Sequence, residues 1–162
     1  MGETKQRLGV KDKYFLTVGT VEPRKNVHRV IEAFIKFTRE NSVYSDYQLV
    51  VVGLTDFAHG SFVKPLLQKF SSDANILLAG YVEREDLNCL YSGAVGFLFP
   101  SLYEGFGIPV LEAMASGVPV LTSRTTSLPE VAGEAAYYVD PADVEDIAKG
   151  MKIFAGDPSL RN

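Results

Sequence analysis

One cysteine, Cys89, stands in 162 residues, which excludes an internal disulfide and fits a reducing compartment. No apolar run approaches the length of a membrane span. The opening residues, Met1-Gly2-Glu3-Thr4-Lys5-Gln6-Arg7, lead into no apolar signal core. The expectation is therefore a cytoplasmic protein, with a peripheral seat on the inner face of the membrane left open for a full-length form. Positive charge is outnumbered: 16 lysines and arginines face 20 aspartates and glutamates, for a net charge of -4. That balance carries no basic footprint for nucleic acid, so any anion must be held locally. Histidine is scarce as well. His28 and His59 lie far apart, with no cysteine or clustered carboxylate at ligand spacing, so no metal site is expected. Repeats, low-complexity tracts and interior linkers are also missing.

What remains is the composition of one soluble domain, 46% hydrophobic at a mean hydropathy of +0.05. Short apolar runs alternate with longer stretches of helical period. Strands are predicted over Tyr14 to Gly19, Gln48 to Gly53, Asn75 to Gly80, Val95 to Phe99, Val118 to Thr122 and Ala136 to Val139. Helices are predicted over Asn26 to Glu40, near Phe62 to Phe70, over Arg84 to Ser92, after Gly107, near Leu128 to Ala132, and from Asp143 to about Ala155. Gln48-Leu49-Val50-Val51-Val52 is apolar on both faces, as strands of a parallel sheet are. The expected fold class is α/β, a Rossmann-like doubly wound parallel sheet of about six strands. The tyrosines and phenylalanines recur at strand and helix periods and read as core.

In such sheets ligands sit beyond the carboxyl ends of the strands, and three loops there carry the candidate chemistry. The first, Gly19-Thr20-Val21-Glu22-Pro23-Arg24-Lys25-Asn26, combines a glycine turn, two adjacent cations and a helix start. Arg24 can grip phosphate oxygens bidentately, Lys25 adds a compact charge, and Asn26 is placed to cap the helix. Taken alone, the two cations would equally suit a solvated helix start. The second loop, Gly80-Tyr81-Val82-Glu83, offers main chain at Tyr81 and Val82 to a flat base, or ordinary turn chemistry before a helix. The third, Phe99-Pro100-Ser101-Leu102-Tyr103-Glu104-Gly105-Phe106-Gly107-Ile108-Pro109, is a glycine-bearing loop that opens a helix. Gly105 and Gly107 allow close backbone approach, Pro109 suits a first helical turn, and free N-H groups at the helix start favour a phosphate. Glu104 and Glu112 are poor phosphate ligands. Acceptor-only carboxylates at either end of a phosphate loop suit paired sugar hydroxyls, and phosphate with sugar hydroxyls means a nucleotide sugar.

Glu104-Gly105-Phe106-Gly107-Ile108-Pro109-Val110-Leu111-Glu112 and the small residues after it resemble the Glu-x7-Glu signature of retaining, GT-B-fold glycosyltransferases of family 4, also called group 1. The resemblance extends from about Tyr14 to Arg161 and matches the C-terminal, donor-binding half of the fold. It implies that residues 1-162 are the donor domain, that an N-terminal acceptor domain belongs to the full protein, and that the isolated domain is inactive. By resemblance, Gly19, Thr20, Arg24 and Lys25 clasp the diphosphate, Tyr81 and Val82 read the base, and Glu112 holds the ribose. Glu104 orients the donated sugar beside the phosphate, while Gly105, Phe106, Gly107 and Ile108 line sugar and phosphates. Arg24, Lys25 and Glu104 would be the catalytic set, with no metal and no bound cofactor. Thr20 stands where many members carry arginine, and the segment Ser123 to Glu130 has threonine where many have glycine. The implied reaction moves a hexosyl group from a nucleoside diphosphate sugar to a saccharide or lipid-linked acceptor hydroxyl, as in polysaccharide or lipopolysaccharide biosynthesis. GDP-mannose is the donor suggested by the general look of the first loop. The alternative is a non-catalytic flavodoxin-like or nucleotide-binding Rossmann domain. The first strand ends in neither the acidic cluster of a receiver domain nor the Gly-x-Gly-x-x-Gly of a nicotinamide site.

Overall fold

The computed structural model describes residues 2-53 and 75-160. Strands β1 (Tyr14–Val18), β2 (Gln48–Val52), β3 (Ile76–Gly80), β4 (Gly96–Phe99), β5 (Val120–Ser123) and β6 (Ala136–Val139) form one sheet in the order β3-β2-β1-β4-β5-β6. Every neighbouring pair is parallel. The strand order reverses where β1 meets β4, and open α/β sheets hold their ligands in the crevice above that point. The loops leaving β1 and β4 are the cation loop and the glycine loop.

Among the described residues the helices are α1 (Gly2–Leu8), α2 (Val27–Glu40), α3 (Arg84–Gly93), α4 (Ile108–Ala115), α5 (Leu128–Ala132) and α6 (Val144–Gly156). The α/β class, the parallel sheet and its six strands agree with the sequence reading. The helix α1 was not foreseen, because it buries no residue and carries no apolar period. Its Thr4 and Arg7 side chains bond Asp86 at the start of α3. The stretch near Phe62 to Phe70 and His59 lie outside the described residues.

Alternation along the strands divides the interior in two. Tyr14 and Leu16 of β1 join Val50 and Val52 of β2 in one core, while Phe15, Leu49 and Val51 enter the other. The second core is roofed by α2, through Val27, Val30, Ile31, Phe34 and Phe37 at helical spacing, and by Ile147, Met151 and Phe154 of α6. The first is roofed by α3, α4 and α5 through Leu90, Tyr91, Val110, Ala113 and Leu128. Full burial of each such large side chain stabilises the fold by about 1.5 to 3 kcal/mol.

The strand ends above β1 and β2 meet backbone to backbone. Gly53, at φ 138°, lies so close to Gly19 that a Cβ would fall 2.1 Å from the Gly19 carbonyl oxygen. The Gly19 N-H donates to Val52 O at 2.9 Å. The start of the cation loop is thereby locked to the end of the neighbouring strand.

Candidate functional site

The two loops over the β1-β4 crevice are physically joined. Leu102 N donates to Arg24 O at 2.8 Å. Asn26, fully buried in a left-handed conformation at φ 61°, sends its Nδ2 to Pro100 O at 2.9 Å and to Pro141 O at 2.6 Å. Its Oδ1 accepts from Arg29 Nη1 at 2.9 Å. Asn26 therefore does not cap α2 with its side chain, contrary to expectation. The amide is used instead as a cross-brace between the loops that follow β1, β4 and β6, a role that no local sequence signal announces.

Arg24 and Lys25 both turn toward Glu104. Lys25 Nζ lies 2.7 Å from Glu104 Oε1 and 4.9 Å from the centre of the Phe99 ring, and Arg24 Nη1 lies 3.6 Å from Glu104 Oε2. Arg24 Nε is also 2.7 Å from Glu22 Oε2. Two cations thus meet two carboxylates, and the positive charge that the sequence leaves uncompensated is balanced in the fold. Glu22 was missed as a partner because it is separated from Arg24 only by Pro23 in a tight turn. Glu104 is 6% exposed, and its Oε1 is held by the Lys25 ammonium. A carboxylate buried this far is costly unless it is paired, and both of its oxygens face a cation. Thr20 is half-buried beside this loop, and the Lys25 stem runs over Gly19.

The glycine loop ends at Gly107, whose φ of 97° turns the chain into α4 and whose α-carbon faces Leu128 too closely for a Cβ. Ile108 and Pro109 form the first turn, so the N-H groups at the start of α4 adjoin Gly105, Phe106 and Gly107. The loop is held from the next strand by hydroxyls. Thr122 Oγ1 donates to Phe99 O, while Ser123 Oγ and Thr125 Oγ1 donate to Ser101 O. Glu104 N donates to Thr126 Oγ1 at 3.0 Å, and Ser127 Oγ donates to Glu104 O and to Phe106 O. Thr126 sits at φ 49°, a left-handed conformation that glycine adopts without cost and threonine does not. The run Thr122-Ser123-Arg124-Thr125-Thr126-Ser127 advertised this ladder by its hydroxyl density, though not its partners.

Glu112 is half-buried on α4, where Tyr91 Oη donates to its Oε2 at 3.2 Å. Burial first, and the nearby Glu112 charge second, push the Tyr91 hydroxyl well above the usual tyrosine range. Tyr81 is exposed and Val82 buried at the β3 exit, where Gly53 N donates to Gly80 O. Among the described contacts, none joins Glu112, Tyr81 or Val82 to the cation pair. The aromatic residues are not all core: Tyr81, Tyr103 and Phe106 are 68%, 60% and 57% exposed, because each stands on a loop above the sheet rather than within it. His28, on α2, is half-buried, and that burial lowers its pKa. No cluster of three or more His, Cys, Asp or Glu at metal-binding distance occurs among the described residues.

Fold and site together define a Rossmann-like domain whose topological switch point gathers two cations, two carboxylates and the start of a helix. A family model described as glycosyl transferases group 1 matches residues 3-162, and the chain belongs to that family. It is 42% identical over 148 residues to O-antigen chain mannosyltransferase B of Escherichia coli, an alignment covering 91% of this chain and 38% of that protein. With O-antigen chain mannosyltransferase RfbU of Salmonella typhimurium it shares 35% identity over 144 residues, 88% of this chain and 38% of the relative. The crystal structure of the C-terminal domain of a group 1 family glycosyl transferase, LpcC from Francisella tularensis, superposes with a TM-score of 0.80 at 27% identity, covering 98% of this chain and 84% of that one. The chain thus spans about two fifths of the length of these two curated relatives.

Proposed function

We propose that this chain is the nucleotide-sugar-binding domain of a retaining hexosyltransferase, the C-terminal half of a GT-B enzyme whose acceptor domain lies outside these residues. The observation that carries the proposal is Glu104, a buried carboxylate held between Arg24 and Lys25 beneath the loops of the switch point. The cations suit a diphosphate, and the carboxylate they hold in place suits a hydroxyl of the sugar attached to it.

The Arg24 and Lys25 side chains and the N-terminus of α4 bear on the diphosphate, Gly19 and Thr20 line its approach, and Gly105, Phe106, Gly107 and Ile108 present backbone to phosphate and sugar. Glu112 takes the ribose hydroxyls, and the Tyr81-Val82 main chain takes the base. As the bond from the anomeric carbon to the phosphate oxygen breaks, negative charge grows on the diphosphate and positive charge on the carbon. The cations and the helix terminus stabilise the first without a metal or cofactor, and a single such contact is worth roughly 2 to 4 kcal/mol. The acceptor hydroxyl forms the new bond on the same face, and its proton passes to the departing phosphate oxygen. The relatives named as O-antigen mannosyltransferases make GDP-mannose the first donor to try and a saccharide or lipid-linked saccharide the acceptor. Cytoplasmic placement, peripheral to the inner face of the membrane in the full protein, fits such an acceptor. No helix among the described residues is long and apolar enough to cross a membrane.

The test is a thermal-shift screen of GDP, UDP and ADP in EDTA, on the wild type, Lys25→Ala and Glu112→Ala. One nucleotide should raise the melting temperature of the wild type. Its affinity should fall about 10- to 100-fold in Lys25→Ala, the loss expected for one charge-assisted phosphate contact. Binding that needs a divalent ion, or that ignores both substitutions, contradicts the proposal.

A further inference from the structure

The ribose carboxylate has a keeper. Tyr91 lies on α3, fully buried, with its ring edge-on to Phe97 at 5.3 Å between centroids. A buried phenol needs an acceptor, and a backbone carbonyl supplies one to buried Tyr14, whose Oη donates to Leu90 O. Tyr91 instead spends its hydroxyl on the half-exposed carboxylate of Glu112, 3.2 Å away on a different helix. A glutamate at the sheet's ligand-facing end would otherwise sample several rotamers. Here one oxygen, Oε2, is tied to a rigid aromatic, which leaves Oε1 outside that bond.

We propose that Tyr91 is a positioning residue that holds Glu112 ready to accept hydrogen bonds from the ribose hydroxyls of the bound nucleotide. The inference rests on the assignment of Glu112 to the ribose. Fixing the carboxylate before the ligand arrives removes an ordering cost from binding, and only from the part of binding that uses Glu112. Tyr91→Phe keeps the ring, its burial and its packing on Phe97, and frees Glu112 into a position where water can solvate it. The substitution therefore reports on orientation rather than on the fold.

The experiment is calorimetry on the wild type and Tyr91→Phe, with the best-binding of GDP, UDP and ADP and with its 2′,3′-dideoxy counterpart. The wild type should prefer the ribonucleotide, and Tyr91→Phe should weaken the ribonucleotide about three- to tenfold while leaving the dideoxy form unchanged, as loss of one pre-ordered side chain predicts. The ribose preference thereby narrows. A purely structural role would weaken both ligands together and leave the ratio intact, and an unchanged ratio in Tyr91→Phe overturns the inference while the ribose assignment stands. Equal affinity of the wild type for the two nucleotides overturns the ribose assignment itself, and the inference with it.

Discussion

At the scale of single residues, the site is built from groups whose roles depend on what lies opposite them. Glu104 is an acidic residue in a loop by sequence and a clamp between Arg24 and Lys25 in the fold. Thr126 occupies the left-handed conformation that suits glycine, at φ 49°, while its hydroxyl receives the Glu104 N-H. A left-handed non-glycine residue costs roughly 1 to 2 kcal/mol, and an ordinary hydrogen bond returns about 1 kcal/mol, so the two nearly offset. Thr126→Ala loses the hydroxyl and keeps a Cβ, whereas Thr126→Gly loses the hydroxyl and relieves the backbone. Chemical denaturation should therefore find Thr126→Gly more stable than Thr126→Ala by about 1 kcal/mol. The reverse order would mean that the left-handed turn is not the strained feature it is taken for.

At the scale of elements, the strand exits decide where ligand groups can stand. Gly19 and Gly53 allow β1 and β2 to release their chains side by side, and the Cβ of an alanine at Gly53 would collide with backbone, not with a movable side chain. Gly53→Ala should cost about 2 kcal/mol or more, lowering the melting temperature of the chain by roughly 5 °C, and should also weaken nucleotide binding by displacing the cation loop. A neutral outcome in both readings would contradict the backbone contact. These exits were only half legible in the sequence. The apolar runs and the helical spacing of α2 announced the sheet and most of its helices, because burial on two faces or one stripe is a local pattern. Pairings such as Asn26 with Pro100 and Pro141, or Tyr91 with Glu112, were not announced, since each is made by folding rather than by spacing. Likewise α1 escaped notice because it has no buried face. The candidate site residues were named from the glycine loop and its resemblance, and the structure brings Arg24, Lys25 and Glu104 into contact.

At the scale of the whole molecule, one face of the sheet gathers what the proposed chemistry needs. The β1-β4 switch point, the start of α4 and the exposed aromatic residues Tyr81, Tyr103 and Phe106 all belong to the loops at the carboxyl ends of the strands. A cavity of about 470 Å3 lies apart from this crevice, at the β6 edge, lined by Arg124, Pro129, Gly133, Glu134, Ala136 and Tyr138. Arg124 stacks on the Tyr138 ring there at 4.1 Å, so its guanidinium already has a partner. Chemistry favours the crevice, because it pairs cations with a helix N-terminus and a buried carboxylate. The most direct measurement is a crystal structure of this chain with the nucleoside diphosphate that binds it best. The account predicts diphosphate oxygens within hydrogen-bonding distance of Lys25 Nζ and of the backbone N-H groups between Gly105 and Gly107. A nucleotide seated instead against Arg124 and Tyr138, with Lys25 still closed on Glu104, would contradict it.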